Sequence, residues 1–268
     1  IFVDKEEDDE DTNKSGIYLF EGGRKPLPFF PPLKTIAAKS NMAYVDMTES
    51  TVTISPDAKE AIFEFGSEDD AVAYLMSLEG ENKVPFDVTQ SKDTLIEAWE
   101  NQKNDNNLKI LETFPKEFYK IASDSVEIVS FSPNENKLLY KANKNLILPP
   151  MITPPLVVTN QTSEVRSLET GKMYVYDKKE DRNYLITEGA TVTDNNQIQW
   201  YFNSRHILIN QDKRIVVIDY DDTNKQTIYS GPYESDFFLT TSDGRIITLS
   251  NLNPEVNKWP DLYLVGIR

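Results

Sequence analysis

At 268 residues the chain is long enough to bury a large core, and its 39% hydrophobic and 11% aromatic content suits a globular fold rich in strands. A formal net charge of −16 excludes the basic stripe that nucleic-acid binding through phosphates requires, and the absence of cysteine removes disulfides, thiolate zinc sites and cysteine nucleophiles together. No run of about 18 apolar residues is present, so no membrane insertion is expected of this segment.

In chain order, Ile1-Phe2-Val3-Asp4 reads as a strand already inside a repeat unit, followed by the acidic run Glu6–Asp11, a solvated hairpin tip. Ile17-Tyr18-Leu19-Phe20 is expected to pair with Lys25-Pro26-Leu27-Pro28-Phe29 across Gly22-Gly23. The chain starts with Ile rather than Met, so a processed piece is expected, its targeting segment or anchor lying upstream.

A strand-turn-strand grammar then recurs. Thr51–Ile54 leads through Ser55-Pro56-Asp57 into Lys59–Phe65, and Val126–Phe131 leads through Ser132-Pro133-Asn134 into Lys137–Tyr140. Weaker copies run from Ile198 through Asn203-Ser204-Arg205 to Ile209, and from Phe237 through Ser242-Asp243-Gly244 to Leu249; Ser204 and Ser242 are aligned with Ser55 and Ser132. Proline presets the turn, Asp, Asn and Ser bond their own backbone, and Gly supplies positive φ. Second strand pairs follow at Lys172–Asp177 with Asn183–Thr187 and at Arg214–Tyr220 with Lys225–Tyr229, and Asp261–Ile267 ends the chain. Four strands make a blade, and a repeat of this kind predicts an all-β chain: a single β-propeller domain over 1–268, of about five four-stranded blades within a range of four to seven, closed by pairing its terminal strands.

Two insertions interrupt the repeat. Residues 89–123 predict a helical pair, with Ser91 as cap, Leu95, Ile96 and Trp99 on one face, and Pro115 opening a second helix that carries Phe118, Tyr119 and Ile121. Residues 145–171 hold Pro149-Pro150 and Pro154-Pro155 among apolar residues, a composition that forbids ladder strands and favours an extended loop. That strip either packs across its own domain or offers a partner a docking surface.

Ser55-Pro56-Asp57 and Ser132-Pro133-Asn134 resemble the first half of the Ser-Pro-Asp-Gly turn of TolB-like and WD40-like propeller repeats, with Ala58 and Glu135 in the glycine position. From about Thr113 onward, Phe131-Ser132-Pro133, the proline loop, Met173–Asp177, Trp200–His206 and Thr248–Pro254 are similar to the propeller region of bacterial PEGA-domain-containing surface proteins. That resemblance implies an outward-facing domain of the cell envelope, tethered through a segment upstream of Ile1, and it brings no catalytic residues to carry over.

The residues themselves offer little chemistry. His206 is the single histidine, beside a strand-connecting turn, and no Gly-x-Ser-x-Gly elbow accompanies it. Thr241–Arg245 has the wrong spacing for a sialidase-type Asp box, and Glu21–Lys25 reads as a hairpin rather than a phosphate loop. Asp219–Asn224 lacks the glycine and terminal glutamate of a calcium loop and reads as a hairpin turn. Asn13-Lys14-Ser15 and Asn160-Gln161-Thr162 fit the glycosylation pattern. With 44 Asp and Glu, hydrolysis by a carboxylate pair stays open as the alternative to a non-catalytic module, with a structural spacer as a third reading. No metal or cofactor is expected. The partner is expected to be a protein or an envelope polymer, and Leu148, Pro149, Pro150, Met151, Pro154, Pro155, Trp99 and Trp259 are the candidate contacts.

Overall fold

The computed structural model describes residues 2–3, 15–20, 33–42, 50–66, 70–155, 159–187, 198–211, 213–234, 237–256 and 260–266. Backbone contacts divide the chain into two compact units, Ile1–Asn106 and Asn107–Arg268.

In the first unit, β1 (Phe2–Val3), β2 (Gly16–Phe20) and β3 (Leu33–Ala38) form an antiparallel sheet in that order. β2 is thus flanked by β1 and by Leu33–Ala38, not by the expected residues 25–29; those residues and the acidic run lie outside the described residues. The next sheet is an antiparallel meander of β4 (Ser50–Ile54), β5 (Glu60–Phe65), β6 (Val72–Ser77) and β7 (Phe86–Asp87). Alternation along β5 sends Ala61, Phe63 and Phe65 to one face, where they join Ile17, Ile36 and Met76 in a core. Ile62 faces the other way, and with Ala73 and Val88 it is covered by Leu95, Ile96 and Trp99 of α1 (Lys92–Leu111), the helical face expected from their spacing. Ser91 precedes this helix but does not cap it through its hydroxyl, which donates back to the Val88 carbonyl at 3.5 Å.

The second unit opens with α2 (Lys116–Ser125), for which Pro115 supplies the N-cap in extended geometry one residue before the helix. A four-stranded sheet follows in the order β13-β12-β9-β8, from β8 (Val126–Phe131), β9 (Lys137–Ala142), β12 (Met173–Asp177) and β13 (Arg182–Ile186). Between β9 and β12, β10 (Leu146–Ile147) and β11 (Ser167–Leu168) make a two-residue ladder. The proline-rich insertion thus does contain a ladder, contrary to the expectation from its composition; the two strands flank the prolines, one before Pro149 and one after Pro155, where every N–H is still available. A meander of β14 (Ile198–Trp200), β15 (His206–Gln211), β16 (Arg214–Asp219) and β17 (Gln226–Tyr229) comes next, then a three-stranded sheet of β18 (Phe238–Thr240), β19 (Arg245–Ser250) and β20 (Asp261–Gly266).

These sheets stack face on face. Leu138, Tyr140, Tyr174 and Tyr176 meet Phe114 and Phe118, and the Phe118 and Tyr176 rings lie parallel with centroids 3.8 Å apart. The opposite face of that sheet presents Leu139, Met173, Val175 and Ile186 to Trp200, Ile207, Ile209, Val216 and Ile218. The third layer continues with Leu208 and Ile215 against Phe238 and Ile246. On the far face of the last sheet, Leu239, Ile247 and Leu264 form one cross-strand row, and Leu239 and Leu264 are nearly half exposed.

The turns between first and second strands explain how the repeat survives without its glycine. Ser55 Oγ donates to Asp57 Oδ1 (2.8 Å) and accepts the Glu60 N–H (3.0 Å); Ser132 Oγ does the same with Asn134 (2.9 Å) and the Lys137 N–H (3.0 Å). The residue after the Asp or Asn is left-handed in every copy: Ala58 at φ 55°, Glu135 at 55°, Ser204 at 58° and Gly244 at 82°. Ser204 consequently corresponds to Ala58, and Tyr201, whose carbonyl accepts the Ser204 N–H, occupies the Ser55 position. In the last copy Thr241, not Ser242, plays that part, its hydroxyl accepting the Arg245 N–H at 2.9 Å.

Candidate functional site

The insertion between β9 and β12 is apolar, and its burial pattern splits it in two. Leu148, 1% exposed, lies in the core with Leu168 while Met151 packs partly against it, so Leu148 is not available to a partner. Ile147 is 77% exposed, and Pro149, Pro150, Pro154 and Pro155 are all exposed. Trp99 lies on α1 in the first unit and packs, half-buried, against Ile62, Ala73 and Val88; Trp259 lies outside the described residues.

A chain this rich in proline donates few backbone bonds, so side chains must hold it down. Asp181, in the β12–β13 turn and 6% exposed, does so at one end: its carboxylate accepts the N–H groups of Met151 (2.7 Å) and Ile152 (3.0 Å) and the Tyr176 hydroxyl (2.9 Å). Burial, with the Asp181 charge added, holds the Tyr176 phenol well above the usual tyrosine range, so it stays a donor. Arg166 completes the clamp, donating to the Pro149 carbonyl (2.9 Å) and to the Asp181 carbonyl.

Asp221, in the β16–β17 turn and 8% exposed, fastens the other end. Its carboxylate accepts Asn160 Nδ2 (2.8 Å), Thr162 Oγ1 (2.6 Å) and Thr223 Oγ1 (2.6 Å). Burial opposes the charge on Asp221, yet the hydrogen bonds from Thr162, Thr223 and Asn160 outweigh it and the carboxyl is held below its ordinary value. Asn160 Nδ2 also donates to Tyr220 Oη (3.1 Å), and Arg182 Nη1 donates to the carbonyls of Asn160 (3.0 Å) and Thr162 (2.8 Å). The side-chain amide of this glycosylation-pattern asparagine is therefore committed within the fold.

These contacts enclose an open pocket of about 380 Å³ between Thr159–Thr162 and the segment from Asp219 to Asn224, with Arg205 at its rim. Every lining residue is polar or carries a polar tip. Asp219 is satisfied from within: Asn224 Nδ2 donates to Oδ2 (2.8 Å), His206 Nε2 lies 3.0 Å from Oδ1, and the Arg205 guanidinium is 3.6 Å away. Among the described residues no group of three or more His, Asp or Glu is placed to hold a metal ion, and no helix is long and apolar enough to cross a membrane.

No protein-family model matches the chain, and no curated protein does. Among solved structures it is similar to a putative TolB from Agrobacterium tumefaciens, at 13% identity and a TM-score of 0.29 over 82% of this chain and 58% of that one. It is also similar to TolB from Acinetobacter baumannii, at 12% identity and a TM-score of 0.30 over 81% of this chain and 40% of that one. The chain spans less than two thirds of either structure, and likeness at this level assigns neither fold nor function.

The prolines are evident in the sequence, whereas Asp181 and Arg166, which hold that segment, and Asp221, which holds Asn160 and Thr162 further along the insertion, are not. Asp221 does lie in the hairpin turn expected of Asp219–Asn224, but its partners Asn160 and Thr162 are about sixty residues earlier in the chain.

Proposed function

We propose that this protein is a non-catalytic binding or scaffold module whose docking surface is the exposed side of the proline-rich insertion. The observation that carries the reading is the contrast across that segment: Asp181 and Arg166 fix it from below while Ile147, Pro149, Pro150, Pro154 and Pro155 face solvent. A prefixed extended segment loses little entropy on docking, which is why proline-rich strips serve as recognition surfaces. The carboxylates beside it, Asp219 and Asp221, are spent on donors of the chain itself, which favours binding over carboxylate-pair hydrolysis.

In this reading the five sheets of three or four strands among the described residues are blades of a single β-propeller domain. The left-handed turn shared by four of them and the face-to-face stacking of the last three support it. The partner is a protein or an envelope polymer, met at the cell envelope or outside the cell.

Capture from envelope extracts tests the proposal. The whole chain as bait is expected to retain a component that the variant Ile147→Ser with Pro149, Pro150, Pro154 and Pro155 each changed to Ser does not. Retention by neither would favour the structural spacer, and turnover of a glycoside or peptide abolished by one Asp or Glu substitution would overturn the reading in favour of an enzyme.

A further inference from the structure

The geometry points to a ligand for the polar end of this surface: we propose that the pocket between Thr159–Thr162 and the β16–β17 turn takes a neutral saccharide unit. The inference rests on the binding-module reading and names a ligand class for one part of the same surface.

The pocket's own bonding decides the class. Asp219 and Asp221 already accept hydrogen bonds from Asn224, Asn160, Thr162 and Thr223, so their oxygens are not free to coordinate a cation. Those two carboxylates against the one guanidinium of Arg205 leave the walls negative on balance, which disfavours an anion. An apolar ligand would strand polar groups around all of its surface.

What remains open is a mixed set. Arg205, its side chain 67% exposed, offers N–H donors, and the exposed Gln161 amide offers both a donor and an acceptor. Asn224 has spent its Nδ2 on Asp219 and keeps its amide oxygen. The Tyr220 oxygen accepts Asn160 Nδ2, while burial holds the phenol above its ordinary value, so its proton is kept for donation. Groups that alternately donate and accept match hydroxyls, which do both. Asp221 ties the two walls together before any ligand arrives, and a site fixed in advance does not spend binding energy on ordering. The volume falls in the range of roughly 300–1,000 Å³ typical of small-molecule sites.

The test is a ¹H–¹⁵N NMR titration of the whole chain with glucose, galactose and N-acetylglucosamine, their β-linked trisaccharides, and glucuronate as the anionic probe. Saturable binding of at least one neutral sugar is expected in about the millimolar range, weakened about tenfold or more by Arg205→Ala and by Gln161→Ala. Both side chains are exposed, and unchanged far-UV spectra establish that the variants fold. No saturable shift with any neutral sugar, shifts that persist in both variants, or tighter binding of glucuronate would overturn the proposal. The strip variant described above separates this from the broader reading. Sugar binding lost while strip-dependent capture persists removes only the pocket; the reverse removes only the strip.

Discussion

Asn203 fixes the tautomer of His206. Asn203 Oδ1 accepts the backbone N–H groups of Arg205 (3.0 Å) and His206 (3.2 Å), so its Nδ2 is the atom facing His206 Nδ1 at 2.8 Å. Nδ2 can only donate, which makes Nδ1 an acceptor and leaves the proton of the neutral ring on Nε2, pointed at Asp219 Oδ1 3.0 Å away. Long-range ¹H–¹⁵N spectra of the neutral imidazole should show the Nε2–H form; a dominant Nδ1–H signal would contradict this arrangement.

Asp181 anchors the insertion through its carboxylate, which gathers donors from the strip and from β12. Asp181→Ala leaves the Met151 and Ile152 N–H groups and the buried Tyr176 hydroxyl without their acceptor, while Arg166 keeps Glu164, and should cost about 3–5 kcal/mol in urea unfolding. Hydrogen exchange should quicken first at Met151 and Ile152.

Phe118 carries the contact between α2 and the first sheet of its unit, fully buried and stacked on Tyr176. Phe118→Ala is expected to destabilise the chain by about 3–5 kcal/mol through the cavity it leaves. A loss below about 1 kcal/mol would show that α2 adds little to this core.

The left-handed turn residues predict opposite outcomes for glycine gained and glycine lost. Ala58→Gly and Glu135→Gly should each stabilise by about 0.5–1 kcal/mol, since relief at φ 55° exceeds the entropy glycine adds to the unfolded chain. Gly244→Ala should destabilise, because a Cβ there would sit 2.7 Å from Phe202 and 2.8 Å from the Tyr201 hydroxyl. Chemical denaturation of the three variants reads all of these effects.

Stability should fall at both ends of the pH scale, for different groups. Asp221 is held below its ordinary value, so its contribution is present above the unfolded carboxylate range of about 4 and is lost as pH drops through the lowered folded value. Tyr140 and Tyr176 are held above theirs, chiefly by burial, so stability declines once pH passes the unfolded tyrosine range of about 10. Urea midpoints across pH, with tyrosinate absorbance appearing together with unfolding on the alkaline side, check both limbs.

How much of this was legible in the sequence follows from the range of each interaction. The turns were readable because Ser55, Asp57, Ser132 and Asn134 act on backbone within five residues. The third copy was misaligned because Ser204 looks like Ser132 but serves a backbone role; its hydroxyl instead accepts the Asn134 N–H of the neighbouring turn at 3.0 Å. The proline strip announced itself by composition, whereas the residues that orient it act across gaps no local pattern records, such as Asp181 on Met151 and Asp221 on Asn160.

The central claim is that the outward side of the insertion is the binding surface. The affinity of the captured envelope component, measured by calorimetry against the whole chain and against the Ile147, Pro149, Pro150, Pro154, Pro155 serine variant, tests it most directly. The account predicts a loss of about tenfold or more in the variant with the fold intact; equal affinity for both would contradict it.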